Sequence, residues 1–133
     1  MNGGLVYLDS SAVMKLIFEE RETPALTRFL RAWPNRTSSA LARVEVMVSV
    51  RRVQDEDVRR EAVNILSGIH LVHPDHRTFA AACATDPPIV RTLDAIHLAT
   101  AVSMGHELAG MVVYDRRLSE AARHAGLTVW APS

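Results

Sequence analysis

The chain alternates between short apolar runs and longer segments with helical spacing. Residues 5–8 are continuously apolar and stop at Asp9, as expected of a strand that is buried on both faces. A short polar segment at 36–38 is a second candidate strand. Further apolar runs predict strands at residues 69–72, 111–114 and 127–130. Because the intervening segments have helical periodicity, the order predicts βαβ units and a parallel sheet.

Capping residues and helix breakers place the ends of the predicted helices. Ser10 or Ser11 can cap the first helix, and Ser38 or Ser39 can cap the third. Thr92 is the expected cap of the most apolar helix. The first helix follows Ser11 and ends near Glu19, and the others lie at about 24–33, 40–53, 56–66, 75–84, 93–104 and 117–124.

Composition and charge narrow the class of protein. The 133 residues, 48% of them hydrophobic, predict a single domain spanning 1–133 with a substantial core. Fifteen basic and fifteen acidic residues cancel, so a polyanion could be bound only by a local patch or through metal. Cys83, the single cysteine, excludes a disulfide framework and fits a reducing cytosol. Neither a signal peptide nor a membrane-length apolar run is present, which predicts a cytoplasmic protein.

Two acids directly follow predicted strands. Asp9 comes after the first strand and Asp115 after the fourth. The simpler interpretation of either residue alone is a helix N-cap, which is common at strand-to-helix turns. The alternative is a shared site, because ligands bind at the C-terminal ends of the strands in an open parallel sheet.

Two further acids lie on predicted helices. Glu45 shares a helical face with apolar Leu41, Val44 and Val48, and a buried glutamate is costly unless it is paired or binds metal. A position at the solvent edge is the alternative. Asp94 lies in the first turn of the most apolar helix, where it can compensate the helix dipole or face the edge of the sheet.

Taken together, the four carboxylates indicate a metal site. Four acids in one cleft repel one another, and one is expected to take up a proton unless cations neutralise them. Oxygen ligands favour Mg²⁺ or Mn²⁺ over zinc. Such ions can activate a water and stabilise the leaving oxygen of a phosphodiester.

Four segments in order carry a resemblance to a known family. LVYLDSSA, SSALARVEV, RTLDAIHLATA and VVYDRRLSEAARHAGLTVWAP resemble the PIN domain, specifically the VapC-type toxins of toxin–antitoxin pairs. The resemblance implies a three-layer α/β/α fold with a central parallel sheet in strand order 3-2-1-4-5. It also implies an Mg²⁺- or Mn²⁺-dependent endoribonuclease that forms a homodimer and is inhibited by a VapB-type antitoxin. The metal-site acids carried over are Asp9, Glu45, Asp94 and Asp115. Val113 departs from the family, since many relatives have Thr there.

Other polar residues have two interpretations each. Arg116 and Arg117 can hold RNA phosphate or begin a solvated helix, and Lys15 can border the cleft or lie at the surface. His97, one turn after Asp94, can support a site or simply pack in the core. Ser10 can contact the site or cap its helix. The spacing of His70, His73 and His76 fits no zinc motif, so a structural or exposed role is expected.

Two other functions compete with the nuclease. A phosphoacceptor signalling domain is also a small α/β fold with acids at strand ends, although an acidic residue is expected where Ser10 follows Asp9. A catalytically inactive PIN scaffold that only binds a partner is the other alternative. For the nuclease, attack of an activated water would leave a 5′-phosphate and a 3′-hydroxyl.

Overall fold

The structure, a computed structural model, describes residues 3–88 and 90–133. Strands and helices alternate along the chain. The strands are β1 (Leu5–Leu8), β2 (Arg36–Ser39), β3 (His70–Val72), β4 (Leu108–Val112) and β5 (Val129–Trp130). The helices are α1 (Ser10–Ile17), α2 (Thr23–Arg31), α3 (Ala40–Val53), α4 (Glu56–Ser67), α5 (His76–Cys83), α6 (Thr92–Ser103) and α7 (Arg116–His124).

The strands form one parallel sheet in the order β3-β2-β1-β4-β5. This confirms the fold class and strand order that the family resemblance implied. β1 lies between β2 and β4, and Leu8 at its end pairs with Val112 at the end of β4. The strand order switches sides here, because β2 and β3 lie on one side of β1 whereas β4 and β5 lie on the other. An open α/β sheet forms its ligand crevice at such a switch point. A flavodoxin-like signalling domain has the order 2-1-3-4-5, so the observed order disfavours the phosphoacceptor alternative.

Helices cover both faces of the sheet, and β1 is therefore buried on both sides. Val6 and Leu8 pack among apolar residues of α1, α2, α3 and α4. Tyr7, which points the opposite way, packs against α6 and α7 through Leu98 and Leu118. The result is a three-layer α/β/α arrangement with all of Val6, Tyr7 and Leu8 at 0% exposure. In the described ranges, no helix is long and apolar enough to cross a membrane.

Several element boundaries differ from the sequence predictions. β4 begins at Leu108 rather than Met111, because a 3₁₀ turn over Gly105–Glu107 delivers the chain to the sheet early. Asp9, not Ser10 or Ser11, caps α1. Arg91 rather than Thr92 occupies the N-cap position of α6, without a side-chain capping bond. The two capping differences arise because the N-cap is the last residue outside the helix. Capping propensity alone does not locate that residue to a single position.

The predicted buried face of α3 is wrong. Val44 is 58% exposed and Val48 is 44% exposed. The helix instead buries Ala42, Val46 and Val50, a stripe with four-residue spacing that faces α1 and α4. Glu45 therefore borders the buried stripe and does not lie within a buried apolar face.

Gly110 offers a test of how tightly β4 and β5 pack. A methyl group there would lie 2.5 Å from Trp130 Cζ3 and 2.8 Å from the Thr128 carbonyl oxygen. Trp130 cannot easily move, since it packs on Phe29 and Trp33 with centroid distances of 5.2 and 5.1 Å. We expect Gly110→Ala to lower the free energy of unfolding by about 1–3 kcal/mol in urea denaturation.

Gly68→Ala is the matched control. Its added methyl would meet only the Ile65 carbonyl oxygen at 3.6 Å, and its φ of −90° suits any residue. We expect this variant to remain within about 0.5 kcal/mol of the wild type. Equal stabilities of the two variants would contradict the close packing at Gly110.

Candidate active site

Asp9 lies at the C-terminal end of β1 and caps α1. Its Oδ1 accepts a hydrogen bond from the Ala12 backbone N–H at 2.9 Å. The Ser11 hydroxyl donates to the same carboxylate, 2.9 Å from Oδ1 and 3.0 Å from Oδ2. The side chain is only 3% exposed, and burial raises its pKa to about 6, although these hydrogen bonds oppose the shift. Asp9 is thus a cap and also a buried carboxylate at the sheet edge.

Asp115 is placed similarly after β4. It caps α7, with Oδ1 accepting from the Leu118 backbone N–H at 2.9 Å, and it is exposed. The two strand ends are tied together, since the Asp9 N–H donates to the Val112 carbonyl oxygen at 3.4 Å. The helix-cap interpretation and the shared-edge interpretation are therefore both compatible with the two acids.

Glu45 reaches the same region from α3. Its Oε1 accepts from the Ser10 hydroxyl at 2.6 Å and lies 2.8 Å from His97 Nε2. Partial burial raises the pKa of Glu45, but the hydrogen bonds from His97 and Ser10 outweigh it and leave the pKa below its ordinary value. Glu45 is thus held as a carboxylate.

His97 and Tyr7 lie buried beneath this contact. His97 is 1% exposed, with Nδ1 lying 2.6 Å from the Tyr7 hydroxyl and Nε2 2.8 Å from Ser10 Oγ. Burial raises the pKa of Tyr7 far above its ordinary value. His97 is packed in the core, as one interpretation expected, and it also contacts Glu45, which leaves a supporting role open as a proposal. Tyr7 was missed by the sequence reasoning, although a phenol within an aliphatic strand was a visible signal.

Asp94 links the acids electrostatically. It is half-buried in the first turn of α6, and its pKa is raised by burial and then by the charges of Asp115 and Glu45. Asp94 in turn contributes to the raised pKa of Asp9. Asp94 therefore lies close enough to each of the other three acids for their charges to interact.

The acids are not arranged as a finished ligand set. Within residues 3–88 and 90–133, no three Asp, Glu, His or Cys side chains converge closely enough to hold a metal ion. Their donor chemistry nevertheless fits a hard cation, because all four offer carboxylate oxygens and their mutual repulsion would be relieved by positive charge.

Basic residues near the site divide into two groups. Lys15 is buried, with Nζ 3.5 Å from Glu20 Oε1, 3.3 Å from Glu22 Oε2 and 4.6 Å above the Tyr114 ring. It ties α1 to the segment that leads into α2, so the surface interpretation is wrong. Arg116 and Arg117 are exposed in the first turn of α7, directly after Asp115.

Comparison with known proteins identifies the family. The sequence model of the PIN domain matches residues 6–124. The chain belongs to the PIN domain family. It is 44% identical to ribonuclease VapC46 of Mycobacterium tuberculosis over 128 residues, which cover 96% of this chain and 98% of that protein.

Solved structures show the same PIN fold. A toxin–antitoxin complex from Klebsiella pneumoniae matches with a TM-score of 0.65 and 25% identity, covering 83% of this chain and 86% of that one. VapBC2 from Rickettsia felis, bound to a promoter DNA fragment, matches with a TM-score of 0.76 at 11% identity, covering 95% and 97%. The second likeness shows the fold alone. Val113, two residues before Asp115, is buried among apolar residues.

The raised pKa of Asp9 predicts how stability depends on pH without metal. Between its ordinary value of 3.8 and about 6, the folded chain binds more protons at Asp9 than the unfolded chain does. Stability should therefore fall as pH rises through this window. Asp9→Asn keeps an N-cap but removes the charge, so we expect it to stabilise the protein near pH 7 by about 1–3 kcal/mol. Urea unfolding from pH 4 to 8 in EDTA measures this.

Asp75→Asn is the matched control, because Asp75 is an exposed N-cap that accepts from the Thr78 backbone N–H at 2.9 Å. The pKa of Asp75 is lowered by that bond, so its stabilisation is lost as pH falls and its removal should give no gain near pH 7. An Asp9→Asn variant with the wild-type pH slope would contradict the burial argument.

Proposed function

We propose that this protein is a metal-dependent endoribonuclease and the toxin of a VapBC-type toxin–antitoxin pair. One observation carries the proposal: Asp9 and Asp115 follow the paired ends of β1 and β4, and Glu45 bonds to Ser10 beside Asp9. Asp94 adds a carboxylate whose charge interacts with those of the other three acids. The relationship to a protein named as a ribonuclease, along nearly the whole length of both chains, supports the same reaction class.

The proposed cofactor is Mg²⁺ or Mn²⁺, held by Asp9, Glu45, Asp94 and Asp115. When bound, such an ion supplies activation of a water and stabilisation of charge on the phosphodiester oxygens. One or two ions would satisfy four carboxylates. The missing hydroxyl at Val113 removes a supporting donor that many relatives have beside the last acid.

The residues of this chain prepare the site for that chemistry. The Ala12 N–H and the Ser11 hydroxyl fix the orientation of Asp9. Ser10 and His97 keep Glu45 ionised. Arg116 and Arg117, exposed beside Asp115, are proposed to hold the RNA backbone through its phosphates, because the net charge of zero leaves recognition to local groups.

The proposed partners are a VapB-type antitoxin and a second copy of this chain. The similar complex from Klebsiella pneumoniae is named as a toxin–antitoxin complex. Exposed Val44 and Val48, one turn apart on α3, offer a small apolar contact for such a partner. We expect the protein to act in the cytoplasm, and a neighbouring reading frame to encode a short DNA-binding module with a C-terminal tail.

The nuclease proposal predicts loss of activity when the acids are neutralised. We expect purified protein to cleave cellular RNA with Mg²⁺ or Mn²⁺, leaving 5′-phosphates. Asp9→Asn and Asp115→Asn should each reduce the rate on the order of 100-fold or more, because each removes a proposed metal ligand. EDTA should abolish cleavage. Wild-type rates in both variants would refute the assignment.

Glu61→Gln serves as the control. Glu61 is exposed on α4, so this substitution removes one negative charge away from the site. It should leave cleavage unchanged. Titration of the wild type with Mg²⁺ by calorimetry separates the nuclease from an inactive PIN scaffold. The absence of binding at millimolar Mg²⁺ would favour the scaffold.

A further inference from the structure

Beneath Glu45 lies a buried chain of hydrogen bonds made by residues that are not themselves proposed metal ligands. It runs from Tyr7 on β1 through His97 on α6 to Glu45 on α3, with Ser10 of α1 bonded to the last two. We propose that His97 is a positioning residue, which donates from Nε2–H to Glu45 and is fixed in that tautomer by Tyr7. This role deepens the proposed nuclease function and rests on it.

The number of available protons determines the direction of each bond. Ser10 has one hydroxyl proton, and at 2.6 Å from Glu45 Oε1 it donates to the carboxylate. An ionised carboxylate only accepts. The 2.8 Å contact between His97 Nε2 and Glu45 Oε1 therefore requires a proton on Nε2.

Tyr7 completes the assignment at the other ring nitrogen. The Tyr7 hydroxyl lies 2.6 Å from Nδ1 and is placed to donate to it, and a nitrogen that accepts this bond leaves the ring proton on Nε2. The opposite tautomer would turn the lone pair of Nε2 toward Glu45 Oε1. Because Tyr7 is 0% and His97 1% exposed, bulk water cannot replace either bond.

This chain of bonds joins the elements that carry three of the four acids, Asp9, Glu45 and Asp94. Ser10 follows Asp9, and His97 lies one helical turn after Asp94 on α6. Both hydrogen bonds that the described residues make to Glu45 reach Oε1, so Oε2 is left to bind a cation. His97 thus fixes the carboxylate of α3 relative to α1 and α6. Removing a partner that orients a metal ligand in this way commonly lowers metal affinity by about 10- to 100-fold.

Two nearly isosteric substitutions distinguish the roles of the two ring nitrogens of His97. His97→Gln keeps an N–H near the position of Nε2, so it can still donate to Glu45. His97→Asn keeps a polar group near Nδ1 but cannot reach Glu45. We expect Mg²⁺ affinity, measured by calorimetry on the full chain, to fall about tenfold or more in His97→Asn and to stay within about threefold in His97→Gln.

Three further measurements test the assignment. Nitrogen NMR of the wild type should show neutral His97 protonated at Nε2, which needs no variant and no metal. Tyr7→Phe removes the donor to Nδ1, and we expect it to weaken Mg²⁺ binding less than His97→Asn does. His106→Asn, at an exposed histidine in the 3₁₀ turn, is the matched control and should bind Mg²⁺ as the wild type does.

The possible failures are distinguishable. Protonation at Nδ1, or equal Mg²⁺ affinities of His97→Asn and His97→Gln, would overturn the role of His97. If His97→Asn does not fold, Tyr7→Phe with unchanged Mg²⁺ affinity would overturn it instead. A wild type that binds no Mg²⁺ would overturn the proposed function itself, and the positioning role with it.

Discussion

The parallel pairing of β1 with β4 is the contact on which the candidate site depends. Leu8 lies beside Val112, and the Asp9 N–H bonds to the Val112 carbonyl oxygen. Because helices α1 and α7 begin just beyond these strand ends, their capping residues are carried to the same edge of the sheet. A strand order that did not pair β1 with β4 would leave Asp9 and Asp115 apart, whatever their local roles.

Helix capping and site formation use the same side chains. A carboxylate at an N-cap has one oxygen engaged by backbone N–H groups and is therefore oriented before any ligand arrives. Asp9 shows this most clearly, since its Oδ1 binds the Ala12 N–H while burial raises its pKa. The capping role, which the sequence offered as an alternative to a site, therefore orients the carboxylate that is proposed to bind metal.

The acids experience different environments within one edge. Glu45 is stabilised as a carboxylate by Ser10 and His97, whereas the pKa values of Asp9 and Asp94 are raised by burial and by neighbouring charge. Such a site is a local cost to stability that the surrounding core must offset. In the part of the chain that the structure describes, no buried side-chain N or O atom lacks a hydrogen-bond partner, so the cost comes mainly from burying the charged carboxylates, and their mutual repulsion adds to it.

The sequence by itself determined the alternation of strands and helices, because hydrophobic periodicity and capping residues are local properties. It also offered four acids as candidate metal ligands, although the strand order came from family resemblance and not from periodicity. Only the tertiary structure decided which face of α3 is buried, since both Val44–Val48 and Ala42–Val46–Val50 have helical spacing and the contacts with α1 and α4 select the second. The bonding of Tyr7 to His97 was likewise beyond local reasoning, because the two residues are 90 positions apart and meet only when α6 packs on the sheet.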